Sequence, residues 1–258
     1  MYLIDTHTHL YLNEFDSDRN ETVNRALTAA PFPVKKMLLP NVDSTTIEGM
    51  MQLSESFPEN CFPMIGLHPT SVKDNYKDEL EIVENWLSRK KFFGIGEVGM
   101  DLYWDKTFTA EQIIVFKHQA LLSRQYNLPL VIHSRNAVSE LLQILESLDD
   151  KNLYGVFHCF GGNVIEAQRA VGHGFMIGVG GVITYKNSGL DRVISNIDIN
   201  HIVLETDSPY LTPVPKRGQR NESAYINYVA QKVADTYKME IEKVVEITTQ
   251  NAERLFKF

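Results

Sequence analysis

The stretch "TAEQIIVFKHQALLSRQYNLPLVIHS" (109–134) decides how the chain is read. Its first eighteen residues place Ile113, Phe116 and Ala120 at i, i+3 and i+7, which is one face of an α-helix. Thr109 with Gln112 resembles a capping box that would open this helix. The pattern then changes. "PLVIHS" (129–134) is a short apolar run without in/out alternation, as expected of a strand covered on both faces. A histidine stands at its C-terminal end.

The same alternation extends in both directions. Short apolar runs occur at "YLID" (2–5), "KKMLLPNV" (35–42), "FPMIGLHP" (62–69) and "FFGIGEVG" (92–99). They continue at "YGVFHCF" (154–160), "FMIGVGG" (175–181) and "IVLETD" (202–207). With "PLVIHS" these make eight strands separated by longer amphipathic stretches. Near the end, Ile226, Val229 and Val233 form one helical stripe, and Ile241, Val244, Val245 and Thr248 begin another. Eight strands alternating with helices in one chain of this length predict an α/β fold, a (β/α)8 TIM barrel forming a single domain over residues 1–258. The rival is a doubly wound open sheet. No GxGxxG marks a strand-to-helix turn, and the glycines of "GIGEVG" accompany a carboxylate.

Composition sets the bounds. The chain has 258 residues, 43% hydrophobic and 22% charged, with a net charge of −8. This is ordinary for a globular protein. The negative balance argues against a broad basic face gripping many phosphates of a duplex. No apolar run approaches the roughly 18 residues of a membrane span, and no signal peptide is recognisable. Cys61 and Cys159 are too few for a disulfide framework. A cytoplasmic, reducing location and a monomeric state without membrane contact are the expectations.

Barrel enzymes carry their active sites at the C-terminal ends of the strands. Those ends hold His7 and His9 (strand 1), Asn41 (strand 2), His68 (strand 3), Glu97 (strand 4), His133 (strand 5), His158 (strand 6) and Asp207 (strand 8). Strand 7 ends in glycines. Residues i and i+2 of a strand share a face, so His7 and His9 can aim two imidazoles at one metal. Imidazole and carboxylate together suit Zn, Mn, Fe, Co or Ni, and carboxylates also tolerate Mg. Six ligands (His7, His9, Glu97, His133, His158 and Asp207) exceed the needs of one tetrahedral ion. A two-metal centre is the natural count, with Glu97 as the bridge and Gly94, Gly96 and Gly99 letting backbone come close. Asp207, followed by Ser208 and Pro209, also reads as the start of a turn. Arg135, two residues past His133, is placed to clamp a phosphate or carboxylate. His68, held extended by Pro69, reads as a phosphate donor or an outer contact. The loop "TPVPKRGQRNES" (212–223) carries Lys216, Arg217 and Arg220, as solvated surface or as substrate contacts. Tyr103 and Trp104 pack their loop or stack a base. His118, His173 and His201 lie away from strand ends.

"DTHTHL", "GLHP", "GEVGMD", "PLVIHSR", "FHCFGG", "ETDSPYLTPVPKRGQRNE" and "TTQNAERLF" resemble, in order, the motifs of the TatD-like deoxyribonucleases. The resemblance runs from residue 4 to residue 256. It implies an amidohydrolase-type barrel with a divalent-metal centre that hydrolyses DNA phosphodiesters, commonly as a 3′-to-5′ exonuclease. It places the metal ligands on His7, His9, Glu97, His133, His158 and Asp207, and a phosphate-facing histidine on His68. The implied cofactors are two divalent ions (Mg, Mn or Zn), and the implied partner is single-stranded or frayed DNA as substrate. Glu97, Asp207 and His68 are the expected catalytic residues, with His68 and Arg135 binding substrate. The chain departs from the pattern at Tyr11, where aspartate is common, at Met100 for leucine, at Gly161 for serine, and at Ser223 for proline. Tyr11 and Gly161 are expected to bear on the substrate mouth. Amidohydrolase-type barrels also cleave esters and amides with the same metals, and D-aminoacyl-tRNA is one such alternative substrate. A metal-binding protein without catalysis is the remaining reading.

Overall fold

Eight parallel strands organise the computed structural model, which describes residues 1–258. They are β1 (Leu3–Asp5), β2 (Val34–Pro40), β3 (Cys61–Met64), β4 (Ile95–Asp101), β5 (Leu130–Arg135), β6 (Gly155–Phe157), β7 (Phe175–Val179) and β8 (Ile202–Leu204). Continuous ladders join β1-β2-β3 and β4-β5-β6-β7-β8. Two seams complete the ring. Ile65 bridges Ile95, its N–H donating to Gly94 O (3.1 Å) and its carbonyl accepting from Gly96 N (2.9 Å). At the other seam Thr6 N donates to Leu204 O (3.0 Å), Asp207 N to His7 O (2.9 Å) and His9 N to Ser208 O (2.8 Å). The buried Asp5 locks this seam by accepting from Thr206 N (2.9 Å) and Thr206 Oγ1 (2.6 Å).

The helices are α1 (Arg19–Leu27), α2 (Ile47–Ser56), α3 (Tyr76–Leu87), α4 (Thr109–Tyr126), α5 (Val138–Leu148), α6 (Val164–Gly172), α7 (Leu190–Ile194), α8 (Ile226–Tyr237) and α9 (Ile241–Phe256). They alternate with the strands, so each crossover returns the chain to the same end of the barrel. This is the (β/α)8 barrel expected from the alternation.

The core has two layers. The larger lies between strands and helices and includes Phe116, Phe157 and Phe175. The smaller takes Ile4, Leu38, Met64, Val131, Val156, Met176 and Val203 from seven strands and seals them with Ala252, Leu255 and Phe256 of α9. It fills the bottom of the barrel. Strand periodicity carries the inward face upward: Val131 leads to His133, Val156 to His158, and Val203 to Glu205 and Asp207. Asn251 of α9 donates to Ile199 O and Ile202 O (both 2.8 Å), tying this plug to the start of β8.

Two expectations change. The ladders of β3 and β6 end earlier than the apolar runs. Past Ile65 two backbone N–H groups bond side chains instead: Gly66 N donates to Asn41 Oδ1 and Leu67 N to Gln119 Oε1 (both 2.7 Å). The capping box at Thr109 does not form. Phe108 is the N-cap, Thr109 Oγ1 donates to Lys106 O, and Gln112 turns inward to accept from Asp101 N (3.0 Å). A capping box forms at α6 instead, between Asn163 and Glu166.

Candidate metal centre at the barrel mouth

Glu97, 3% exposed, stands at the middle of the site. Its two oxygens face different partners. Oε2 lies 3.1 Å from His7 Nε2 and 3.6 Å from His9 Nε2. Oε1 lies 2.7 Å from His133 Nδ1 and 3.7 Å from His158 Nε2. Asp207 Oδ1 closes the group from β8, 3.6 Å from His9 Nε2 and 3.7 Å from His158 Nε2. All six expected ligands are therefore brought together. Two glycines make the space. A Cβ on Gly99, at φ +142°, would lie 2.0 Å from His133 O, so only glycine lets β4 approach β5 here. A Cβ on Gly178 would meet Glu205 Oε2 at 2.6 Å. This is why β7 supplies no ligand: its inward position is the room that Glu205 occupies. Asp207 also begins a turn, with φ +58° and its carbonyl accepting from Tyr210 N (2.8 Å). The turn forms, and the carboxylate still faces the cluster.

The partners of the outer ring nitrogens settle which nitrogens are free. Tyr11 Oη donates to Pro40 O, so it accepts from His9 Nδ1 (2.9 Å), leaving His9 Nε2 with its lone pair. Asp101 Oδ2 lies 3.0 Å from His133 Nε2, which leaves Nδ1 directed at Glu97. Glu205 Oε1 lies 3.0 Å from His158 Nδ1 as a charge partner out of hydrogen-bond alignment, and Nε2 faces inward. His7 Nδ1 has no partner, and the His7 ring stacks on His158 at 3.4 Å between centroids. His68 differs. Its Nδ1 accepts from Thr70 N (3.1 Å), so a neutral ring carries its proton on Nε2. That N–H points at the cluster, 3.4 Å from Glu97 Oε1 and 3.3 Å from His133 Nδ1. A protonated nitrogen donates a hydrogen bond and does not ligate.

Tyr11, Asp101 and Glu205 are the functional residues that motif reading missed or misplaced. Tyr11 is buried beside His9 rather than shaping the mouth. Glu205 lies two residues before Asp207, so the rule that paired His7 with His9 marks it too.

Charges in this pocket are strongly coupled. Burial would raise the Glu97 carboxyl, but the surrounding imidazoles hold it well below its usual range. Asp207 is lowered in the same way against its burial, by the neighbouring His9, His158 and His7. Burial and the neighbouring His158 push His7 down to about 4. Burial also opposes the charge on His158, yet Glu205, Glu97 and Asp207 hold it up to about 10. Four imidazoles and two carboxylates converge with one ring nitrogen of each imidazole facing inward, and the donor atoms, with His68 in one group, fall into overlapping triads whose members lie within 4.8 Å of one another. Nitrogen and carboxylate oxygen suit a divalent transition ion, so this donor set fits metal.

The other expected residues spread over the rim. Arg135 is exposed and its guanidinium lies over the Tyr103 ring at 4.1 Å. Arg217 stacks on Tyr185 at 4.0 Å, and Lys216 lies 5.5 Å from the Tyr225 ring centroid. Arg220 is committed to structure, paired with Asp18 at 2.7 Å. Asn41 serves backbone, as above. His118 pairs with Glu84 and His173 with Glu146 on the outer surface.

A closed (β/α)8 barrel with a buried histidine–carboxylate cluster at the C-terminal ends of its strands defines a metal-dependent hydrolase. Residues 4–257 match the family model described as TatD related DNase, and the chain belongs to that family. It is 34% identical over 256 residues to the metal-dependent hydrolase YabD of Bacillus subtilis, covering 99% of each chain. It is 30% identical over 259 residues to the metal-dependent hydrolase YcfH of Escherichia coli, covering 99% of this chain and 96% of the relative. The crystal structure of YjjV, a TatD homologue from Escherichia coli, superposes with a TM-score of 0.92 at 28% identity, covering 99% of this chain and 98% of that one. No helix is long and apolar enough to cross a membrane.

Proposed function

We propose that the chain hydrolyses phosphodiester bonds of DNA as a 3′-to-5′ exodeoxyribonuclease, acting on single-stranded or frayed ends with two divalent ions, Mg, Mn or Zn. It works as a monomer in the cytoplasm. The observation that carries this reading is the double-facing Glu97, whose Oε2 addresses His7 and His9 while its Oε1 addresses His133 and His158. A carboxylate so placed is suited to bridge two ions. His7, His9, Glu97 and Asp207 would hold one, and Glu97, His133 and His158 the other.

Divalent ions in such a pair supply a water of lowered pKa and neutralise charge on the phosphate. The protein does the rest. Asp207 is ionised and reaches the centre of the cluster, where it accepts the proton of the attacking water. His68 presents Nε2–H to a non-bridging phosphate oxygen and stabilises the charge that develops there. Arg135 offers the edge of its guanidinium to the same phosphate or its neighbour while its face rests on Tyr103. Asp101, Glu205 and Tyr11 hold the ligand rings in register.

The test uses metal-stripped protein and a 3′-labelled single-stranded DNA, with Mg, Mn or Zn added back. A D-aminoacyl ester is assayed beside it. Stepwise, metal-dependent release of nucleotides is expected. Ester cleavage without any nucleotide release under any metal would overturn the nuclease reading.

A further inference from the structure

The loop after β4 holds two aromatic rings in solvent at the rim of the site. Tyr103 is 52% exposed and Trp104 is 68% exposed, the most exposed aromatic residue of the chain. They do not pack their loop, which was one reading of the sequence. An indole left in water sacrifices the apolar burial that normally places it.

The backbone beneath these rings is fixed. Asp101 Oδ1 accepts from Tyr103 N (2.9 Å) and Trp104 N (3.0 Å), while its Oδ2 orients His133. One buried carboxylate thus couples the aromatic loop to the metal centre. The Arg135 guanidinium lies over Tyr103 at 4.1 Å and within 5.2 Å of the Trp104 ring centroid. The two rings meet edge to face with centroids 4.9 Å apart. Arg135 is two residues beyond His133 on β5 and has no carboxylate partner. In a chain of net charge −8 it is an unneutralised cation at the mouth.

We propose that Trp104, backed by Tyr103 and Arg135, stacks an unpaired nucleobase adjacent to the phosphate being cleaved. The ligand class is a single-stranded oligonucleotide, with its base on the indole face and its phosphate on the guanidinium edge. This rests on the phosphodiesterase reading above. It deepens that reading, because the faces of a base inside a duplex are covered by its stacked neighbours and closed to a side chain. Single strands and frayed ends then follow as the preferred substrate. All bases have a π-face, so discrimination among them is weak.

The experiment is a cycle of enzyme and substrate variants with metal-loaded protein. Hydrolysis of an oligothymidylate is compared with that of the same oligomer carrying abasic residues in its last three positions. The enzymes are wild type, Trp104→Ala and Trp104→Phe. Trp104→Ala is expected to lower kcat/KM on the normal oligomer roughly ten-fold or more, the size of one base–aromatic stack. Trp104→Phe recovers most of it. On the abasic oligomer the penalty shrinks to about two-fold or less. An equal penalty on both oligomers overturns the inference. A second arm uses Trp86→Phe protein, in which Trp104 is the sole tryptophan, and reads its fluorescence as oligothymidylate is added. Quenching is expected, and none at saturating oligomer overturns stacking. If no oligomer is cleaved with any metal, the nuclease reading fails, and the fluorescence arm still decides whether a base stacks here.

Discussion

A neutral imidazole has one lone pair, and whatever binds its other nitrogen decides where that lone pair points. In this site the deciding groups are Tyr11 for His9 and Asp101 for His133, while Glu205 sets a carboxylate charge 3.0 Å from His158 Nδ1. Tyr11→Phe removes the acceptor of a buried N–H and frees the ring to turn. Metal affinity should fall about 10- to 100-fold, as for other outer partners of ligating histidines, while Tyr11→Asp retains it. Competition with a chromogenic chelator measures this, and unchanged affinity in Tyr11→Phe removes the role. His68→Ala should lower turnover and leave metal content intact, since its inward nitrogen carries a proton. Loss of an ion in that variant would make His68 a ligand. The clustering of the six proposed ligands was legible because each stands at a strand end and each is a residue type that binds metal. Asp101 was not, because it lies four residues beyond Glu97 across a register shift between Ile95 and Val98. Its contact with His133 exists only in the folded barrel.

Strands and helices were legible for different reasons. A strand covered on both faces leaves an unbroken apolar run, and all eight runs contain or overlap a strand. Helix α4 kept its stripe but lost its supposed cap, because Gln112 is worth more to the N–H of Asp101 than to its own helix end. Close approach of strands was signalled by glycine. Gly99→Ala would drive a methyl group into the His133 carbonyl. It should destabilise the protein by about 3 kcal/mol or more, or prevent folding, as backbone-incompatible changes do; urea unfolding that moves by less than about 1 kcal/mol would show that β4 can retreat. Helix α1 and the loop after β8 are joined by charge. Arg220 and Arg25 hold the Asp18 carboxyl well below its usual value of 3.8. A carboxylate whose folded pKa lies below its unfolded one stabilises the fold above the unfolded value. It loses that contribution as pH falls toward the folded value. The gap in Tm between wild type and Asp18→Asn should therefore stay constant from pH 7 to about 4 and narrow below it. A gap that widens in acid would exclude this network as its source.

The whole molecule is a barrel with an apolar floor and a polar mouth. Helix α9 supplies the floor through Leu255 and Phe256. Phe256→Ala should cost about 3–5 kcal/mol in chemical unfolding while leaving the histidine–carboxylate cluster of the mouth in place; a cost under about 1 kcal/mol would mean the floor is closed by other groups. Closure of the barrel was foreseeable from the strand count, but the means of closure was not. The seam between β8 and β1 relies on Asp5 and Thr206, which sit 201 positions apart. Only the ring brings "DTHTH" beside "ETDSP", and that junction sets His7, His9 and Asp207 around Glu97. The most direct test of the metal centre is therefore the metal content of native and Glu97→Ala protein, read with oligonucleotide hydrolysis on the same samples. Two ions per native chain, with loss of both stoichiometry and turnover in Glu97→Ala, is the expected result. A Glu97→Ala protein that keeps two ions and full activity would show that Glu97 does not bridge them.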